Sequence, residues 1–341
     1  MPRKTVHNNI VTEELLEKVN PKNANLLNEF IEYLNSTNKS DLTIYNYTSD
    51  LHICFVWSLL HNDNKFFVEF TKRDFMKYQS FLLNELKLGS SRIRRLRSAL
   101  SSLSNFIENI LDDDFPTFKN IVNKIAAPVS EAIREKTIMT EEQIQQLFDY
   151  LLSEKKYQKA CLFALALSSG ARKSELLRFK VDYFKEENII YDSLYKTNEK
   201  IKTKGRGKGK YIFKYVLVSQ FKPYLDLWLK QREELGIDSE WLFVSQREDG
   251  YEQMIVSTLD HWAETFSKVL GLDFYFHSLR HYFTTRLYNS GLPGETIKDI
   301  IGWQSVAMVS LYLDVDTDEE IGKYFDKDGI KETKAKGLSE I

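Results

Sequence analysis

The chain has 341 residues, 43% apolar and 28% charged, which is enough for about two domains with their own cores and too apolar for a disordered polypeptide. Lysine and arginine number 47 against 49 acidic residues, a formal net charge of -2, so a polyanion-binding face must come from local clustering and not from the sum. Cys54 and Cys161 stand alone in apolar runs, no run reaches the ~18 residues of a membrane span, and Met1-Pro2-Arg3-Lys4 precedes no signal-peptide core, which excludes a disulfide framework and predicts a soluble, cytoplasmic protein with no membrane partner.

Residues 1–19 are polar and read as a tail or short leading helix. Leu26, Leu27, Phe30, Ile31 and Leu34 then recur at helical spacing and stop at Asn35-Ser36-Thr37-Asn38. Ser40 or Asp41 caps a second helix with Ile44, Tyr47, Leu51, Cys54 and Phe55 inward. Thr71 begins a third, with Phe75, Tyr78, Phe81 and Leu82 buried and Gly89 as its stop. Ser90 caps a fourth, in which Ile93, Leu96, Leu100 and Leu103 face inward while Arg92, Arg94, Arg95 and Arg97 stay in water. A charge run is ordinarily a solvated face, yet this one is nearly all one sign, which suits contact with phosphates or base edges. Lys72 and Arg73 of the third helix belong with this basic set. Residues 20–115 thus form a helical domain, closed by Asp112-Asp113-Asp114 and Pro116 and followed by a linker, 116–136.

Thr140-Glu141-Glu142-Gln143 is a capping box, so a second domain covers residues 137–326, with 327–341 as a charged tail. Its first helix carries Ile144, Leu147, Phe148 and Leu151 inward. Tyr157 to Leu167 is almost wholly apolar and central. Gly170 then turns the chain so that Arg172 starts a helix resumed by Leu176 and Leu177. Asn188 to Tyr191 and Tyr211 to Val218 are strands. The Gly/Lys run between them lacks the Gly-Lys-Ser/Thr ending of a phosphate loop, which disfavours a nucleotide triphosphatase. Tyr224, Leu225 and Trp228 mark a helix, Trp241-Leu242-Phe243 a short element, and Thr258 to Leu270 an amphipathic helix. His277 and Arg280, three apart, share a face and can meet one oxyanion, a site for phosphate or carboxylate. Their helix stops at Gly291. Pro293 opens another, with Ile297, Ile300 and Ile301, that stops at Gly302. Ser305 caps a third, with Ala307, Met308 and Leu311 packed and Tyr312 at its end. Asp316 opens a last helix through Ile321 and Phe325.

A lone Tyr or Trp on such helices is ordinarily a packing residue. The order His277-Ser278-Leu279-Arg280-His281, then Gly302-Trp303, then Tyr312 nine residues after Trp303 resembles the tyrosine recombinase (phage integrase) family, of the Xer and Cre type. Gly170-Ala171-Arg172-Lys173-Ser174-Glu175-Leu176-Leu177 looks like that family's first arginine box, with Ala171 where Leu or Met is more usual. The Gly/Lys run looks like its β-hairpin that carries a lysine into the site: Lys204, in Thr-Lys-Gly, matches best, with Lys202, Lys208 and Lys210 as alternatives. The resemblance implies a mainly α fold with a small antiparallel β-sheet, in which a helical, SAM-like core-binding domain and an α+β catalytic domain form a C-shaped clamp on DNA.

It also implies a chemistry. Tyr312 would attack a phosphorus of double-stranded DNA at a specific site, giving a 3'-phosphotyrosyl link. Arg172 and Arg280 would bind the non-bridging oxygens, and His277 would take the phenolic proton. Lys204 would protonate the leaving oxygen. Trp303 stands where many relatives have His, and its indole N–H can donate a hydrogen bond but cannot shuttle a proton. Glu175 would orient Arg172 or the lysine, His281 would be structural, and Lys208 and Lys210 would join the DNA-binding set. No metal, cofactor or ATP is implied. Partners would be DNA and further copies of the chain, two on one site and four in the synapse, with the last helix docking on a neighbour or at home. A type IB topoisomerase and a non-catalytic DNA-binding regulator are the alternative functions.

Overall fold

The computed structural model describes residues 6–129, 139–203, 210–312, 325–326 and 329–330, and the chain divides into two units, 1–135 and 136–341. The first is helical: α1 (Val6–Ile10), α2 (Glu13–Leu16), α3 (Pro21–Ser36), α4 (Asp41–His61), α5 (Lys72–Ser80) and α6 (Ser90–Ile110). Its core gathers Leu26, Phe30, Leu51, Phe55, Trp57, Phe75, Tyr78, Ile93, Leu96 and Leu103 with the free thiol of Cys54. Helix α4 is buried almost all round over Leu51 to Ser58, as a central helix should be. The caps Ser40 and Thr71 act as their sequence predicts, Thr71 with Asp74 in a full capping box. Ser90, by contrast, is the first residue of α6, and Gly89 is its N-cap. The segment read as a tail or short leading helix forms two short helices, α1 and α2, and Val11 and Val19 are buried in the core.

The arginines of α6 also make contacts within the unit, while Arg94 and Arg95 stay exposed. Arg92 Nη2 lies 2.6 Å from Asp50 Oδ1 and Arg95 Nε 3.3 Å from Asp50 Oδ2. Asp50 is 1% exposed, and a buried carboxylate requires cationic partners. Arg97 donates to Gln79 Oε1 (2.6 Å) and to the carbonyls of Val122 (3.0 Å) and Ile125 (2.5 Å), and Arg94 donates to the Pro128 carbonyl (2.7 Å). These arginines therefore hold residues 122–128 onto unit 1 and satisfy loop carbonyls that have no ladder to join. Lys72 and Arg73, in the first turn of α5, are exposed.

The second unit runs α7 (Glu141–Ser153), α8 (Tyr157–Ser169), α9 (Lys173–Leu176), β1 (Ile189–Ile190), β2 (Leu194–Lys196), β3 (Ile201–Thr203), β4 (Lys210–Ile212), β5 (Tyr215–Leu217), α10 (Val218–Glu234), β6 (Val244–Arg247), β7 (Gly250–Gln253), α11 (Val256–Leu270), α12 (Phe276–Asn289), α13 (Gly294–Ile301), α14 (Ala307–Tyr312), β8 (Phe325–Asp326) and β9 (Gly329–Ile330). Thr140 and Gln143 exchange the two bonds of their capping box. Every residue of α8 from Ala160 to Ser169 is buried, Cys161 among them, and α10 and α12 pack against it. The strands are short and antiparallel: β1-β2-β5 form one sheet, and β3-β4, β6-β7 and β8-β9 are hairpins. The fold class is mainly α with small antiparallel sheets, as the sequence predicts.

Two local expectations change. Tyr211 to Val218 is not one strand: β4 pairs with β3, β5 pairs with β2, and Lys214 stands at the corner, where its N–H donates to Thr197 Oγ1 (3.1 Å) and its carbonyl accepts from the Thr197 N–H (3.0 Å). Val218 already belongs to α10. Phe325, expected in a last helix, lies in β8 and pairs with Ile330; Asp316 to Ile321 of that expected helix and most of the 327–341 tail lie outside the described residues.

Candidate active site

Arg172 is delivered by a corner that only glycine permits. Gly170 ends α8 at φ 56°, and a Cβ there would sit 2.6 Å from Phe283 Cδ1 and 2.9 Å from Ile301 Cδ1. Arg172 follows as the N-cap of α9. Glu175, in the first turn, reaches back: Oε2 accepts from the Arg172 N–H (3.1 Å) and Oε1 from Arg172 Nη1 (2.9 Å). The Arg172 side chain keeps 26% of its surface, whereas Glu175 has none exposed.

Arg280 comes from α12 and is 1% exposed. Its Nη1 donates to the Gly170 carbonyl (2.7 Å) and its Nη2 lies 3.4 Å from the Ile301 carbonyl, so it closes the corner that delivers Arg172. Trp303 is 3% exposed and covers the guanidinium at 5.1 Å from its ring centre, a cation–π contact in a desolvated place. Gly302, at φ 83°, makes the turn into Trp303. A Cβ there would collide with Ile212 Cδ1, so this corner seats the β3-β4 hairpin. Arg178 donates to the Lys202 carbonyl from the other side. The hairpin register, Thr203 opposite Lys210, sets residues 204–209 as its connection. Lys204 and Lys208 therefore lie outside the described residues, as does the side chain of Lys210.

His277 enters in the first turn of α12, exposed to solvent and 5.3 Å ring to ring from His281. Desolvation on its packed side, then His281 and the Arg280 and Arg172 charges, lower its pKa to about 4, so the ring is neutral at physiological pH and able to accept a proton. Tyr312 ends α14. That helix follows Trp303, starts with Ala307 N–H donating to Ser305 Oγ (3.2 Å), and packs Val309 in one cluster with Trp303, Phe283 and Ile301. The Tyr312 side chain lies outside the described atoms.

The structure adds one residue that the sequence reading lacks. Lys214, fully buried, places Nζ 2.7 Å from Glu175 Oε2, itself fully buried, and 3.5 Å from the Ile301 carbonyl. Burial lowers its pKa to about 8 even with Glu175 beside it. Burial pushes the Glu175 carboxyl up, but Lys214 and the Arg172 donors outweigh it and hold it at about 2. A signal was present: Ile212, Lys214 and Val216 alternate at period two, which places a lysine in a row that otherwise faces inward. Arg172, Glu175, Lys214, Arg280 and Trp303 thus form one cluster with His277 at its edge. Among the described residues no group of His, Cys, Asp and Glu has metal-site geometry, and no helix is long and apolar enough to cross a membrane.

Comparison with known proteins gives the family of the chain. The "Phage integrase family" profile matches residues 137–319 and the "Phage integrase, N-terminal SAM-like domain" profile residues 26–117. The SPbeta prophage-derived recombinase-like protein YomM of Bacillus subtilis (strain 168) is 31% identical over 265 residues, covering 76% of this chain and 77% of that one. The fold is shared with XerH site-specific recombinase, solved on its palindromic difH substrate (TM-score 0.63, 19% identity, 91% of this chain and 87% of that one). It is also shared with lambda integrase, solved as a dimer on a COC' core site (TM-score 0.62, 21% identity, 96% and 86%) and as a tetramer on a Holliday junction. With the family profile matched across more than half its length and an arginine corner built as described, the chain belongs to the phage integrase family of tyrosine recombinases.

Proposed function

We propose that this protein is a site-specific recombinase that cuts and rejoins double-stranded DNA through a 3'-phosphotyrosyl intermediate. Tyr312 attacks the scissile phosphorus. Arg172 and Arg280 take the non-bridging oxygens, and His277, neutral in the free protein, accepts the phenolic proton. Lys204 of the β3-β4 connection protonates the leaving 5'-oxygen. Trp303 positions Arg280 and carries no proton. The covalent link retains the energy of the broken bond, so resealing to another strand's 5'-hydroxyl needs no ATP. Strand exchange proceeds through a Holliday junction with two copies on each site and four in the synapse, in the cytoplasm. Lambda integrase, solved as a dimer and as a junction-bound tetramer, supports that stoichiometry.

The observation that carries this reading is the shared corner: the guanidinium of Arg280 holds the carbonyl of Gly170, two residues before Arg172. Two rigid forks fixed to one turn suit a phosphate whose charge grows in the transition state. The test is covalent trapping on fragmented genomic DNA that flanks the chain's own gene. Wild-type protein should form an adduct at one sequence that survives denaturant and is removed by protease, and Tyr312→Phe should form none while still binding that DNA. Equal trapping by both would refute the assignment of the nucleophile.

A further inference from the structure

We propose that Lys214 is a positioning residue of this site: its ammonium neutralises and anchors Glu175, which in turn fixes Arg172 for the phosphate. The inference rests on the reading of Arg172 as a phosphate ligand and adds the group that governs it.

The Lys214–Glu175 pair is fully buried on both sides, at 2.7 Å. Such a pair contributes little net stability, because desolving two charges offsets most of their attraction, and apolar side chains of similar volume serve a fold as well. Its value here lies in where it stands. Glu175 accepts three donors: the Arg172 N–H, Arg172 Nη1 and Lys214 Nζ. Helix α9 is only four residues long and cannot by itself define the direction of the Arg172 side chain. Lys214 is defined independently, since its backbone is tied both ways to Thr197 at the corner between β4 and β5. The sheet therefore sets the ammonium, the ammonium sets the carboxylate, and the carboxylate sets the guanidinium.

The charges agree with this order. With Glu175 alone beside it, Arg172 would be spent on an internal carboxylate. With Lys214 compensating Glu175, the Arg172 charge is left for an incoming anion. Lys214 also shares the Ile301 carbonyl with Arg280, at 3.5 and 3.4 Å, so one lysine touches the supports of both arginines.

The experiment measures single-turnover cleavage at saturating concentrations of a nicked duplex containing the sequence to which wild-type protein becomes covalently attached. DNA affinity and thermal midpoint are measured alongside. Lys214→Met should slow cleavage by about tenfold or more with affinity kept within about threefold, the signature of lost transition-state positioning. In an Arg172→Lys background, where there is no fork left to position, the same change should cost less than about twofold. Lys214→Met/Glu175→Gln, which leaves no buried unpaired charge, should remain folded and show the same loss, so a folding failure of the single variant does not decide the matter. Wild-type cleavage by both Lys214 variants would overturn the proposal. So would a full tenfold loss in both backgrounds, because a merely structural lysine acts independently of Arg172. Wild-type cleavage by Arg172→Lys alone would instead overturn the phosphate-ligand reading, and the proposal with it.

Discussion

His277 and His52 each have an imidazole pKa lowered to about 4, in both cases first by desolvation on the packed side, with His281 adding to the one and His7 to the other. As pH falls below the ordinary value near 6.5, the unfolded chain binds protons on these rings while the folded one does not until about 4. Stability therefore declines through that window. Thermal midpoints measured from pH 7 to 4 should fall, and His277→Gln and His52→Gln should each flatten the slope; an unchanged slope in both variants would count against these environments. Bound DNA should raise the His277 value, since a phosphate offsets the two guanidinium charges that help to hold it down. At this scale His277 and Arg280 were legible as a pair from their spacing, whereas Arg172, Glu175 and Trp303 were singled out by the family resemblance of their motifs. Lys214 escaped because a lysine in a strand ordinarily reads as a solvated residue, although its place between Ile212 and Val216 put it on the inward row.

Helix α6 shows how far a pattern can be read and where it stops. Its apolar stripe and extent were legible from Ile93, Leu96, Leu100 and Leu103. Its four arginines read as a DNA face, although Asp50 on α4 and the carbonyls of residues 122–128 claim much of their hydrogen-bonding capacity. Those partners are distant in sequence and no periodicity announces them. Arg97→Ala should therefore lower unit 1 stability by about 1–3 kcal/mol through lost charge-assisted bonds, measured by urea denaturation. A change confined to the salt dependence of DNA affinity would instead favour the phosphate-contact role. For the β3-β4 hairpin, Gly302→Ala sets a methyl against Ile212 and should displace the strand pair. Cleavage should slow while DNA binding persists, and an unaltered cleavage rate would show that this corner does not position the lysine-bearing connection.

Across the whole chain, the two units have separate cores, one built on α4 and α6 and the other on α8. Residues 1–129 produced alone should fold cooperatively, with helical circular dichroism and a single denaturation transition; a non-cooperative, unfolded fragment would refute that independence. Most helices of both units were legible in the sequence because apolar periodicity and capping boxes are local signals. The β6-β7 hairpin and the split at Lys214 depend on tertiary pairing and left no comparable mark. Gly170 and Gly302 carry a last consequence. Each turns the backbone at a left-handed angle beneath an isoleucine, and between them they seat Arg172, Arg280, Trp303 and the hairpin. Alanine at Gly170 combines an unfavourable angle with a collision, about 2–4 kcal/mol. In a saturation library selected for recombination, these two positions should be depleted as deeply as the arginines, so the tolerance map of this enzyme will trace its hinges as sharply as its reactive groups.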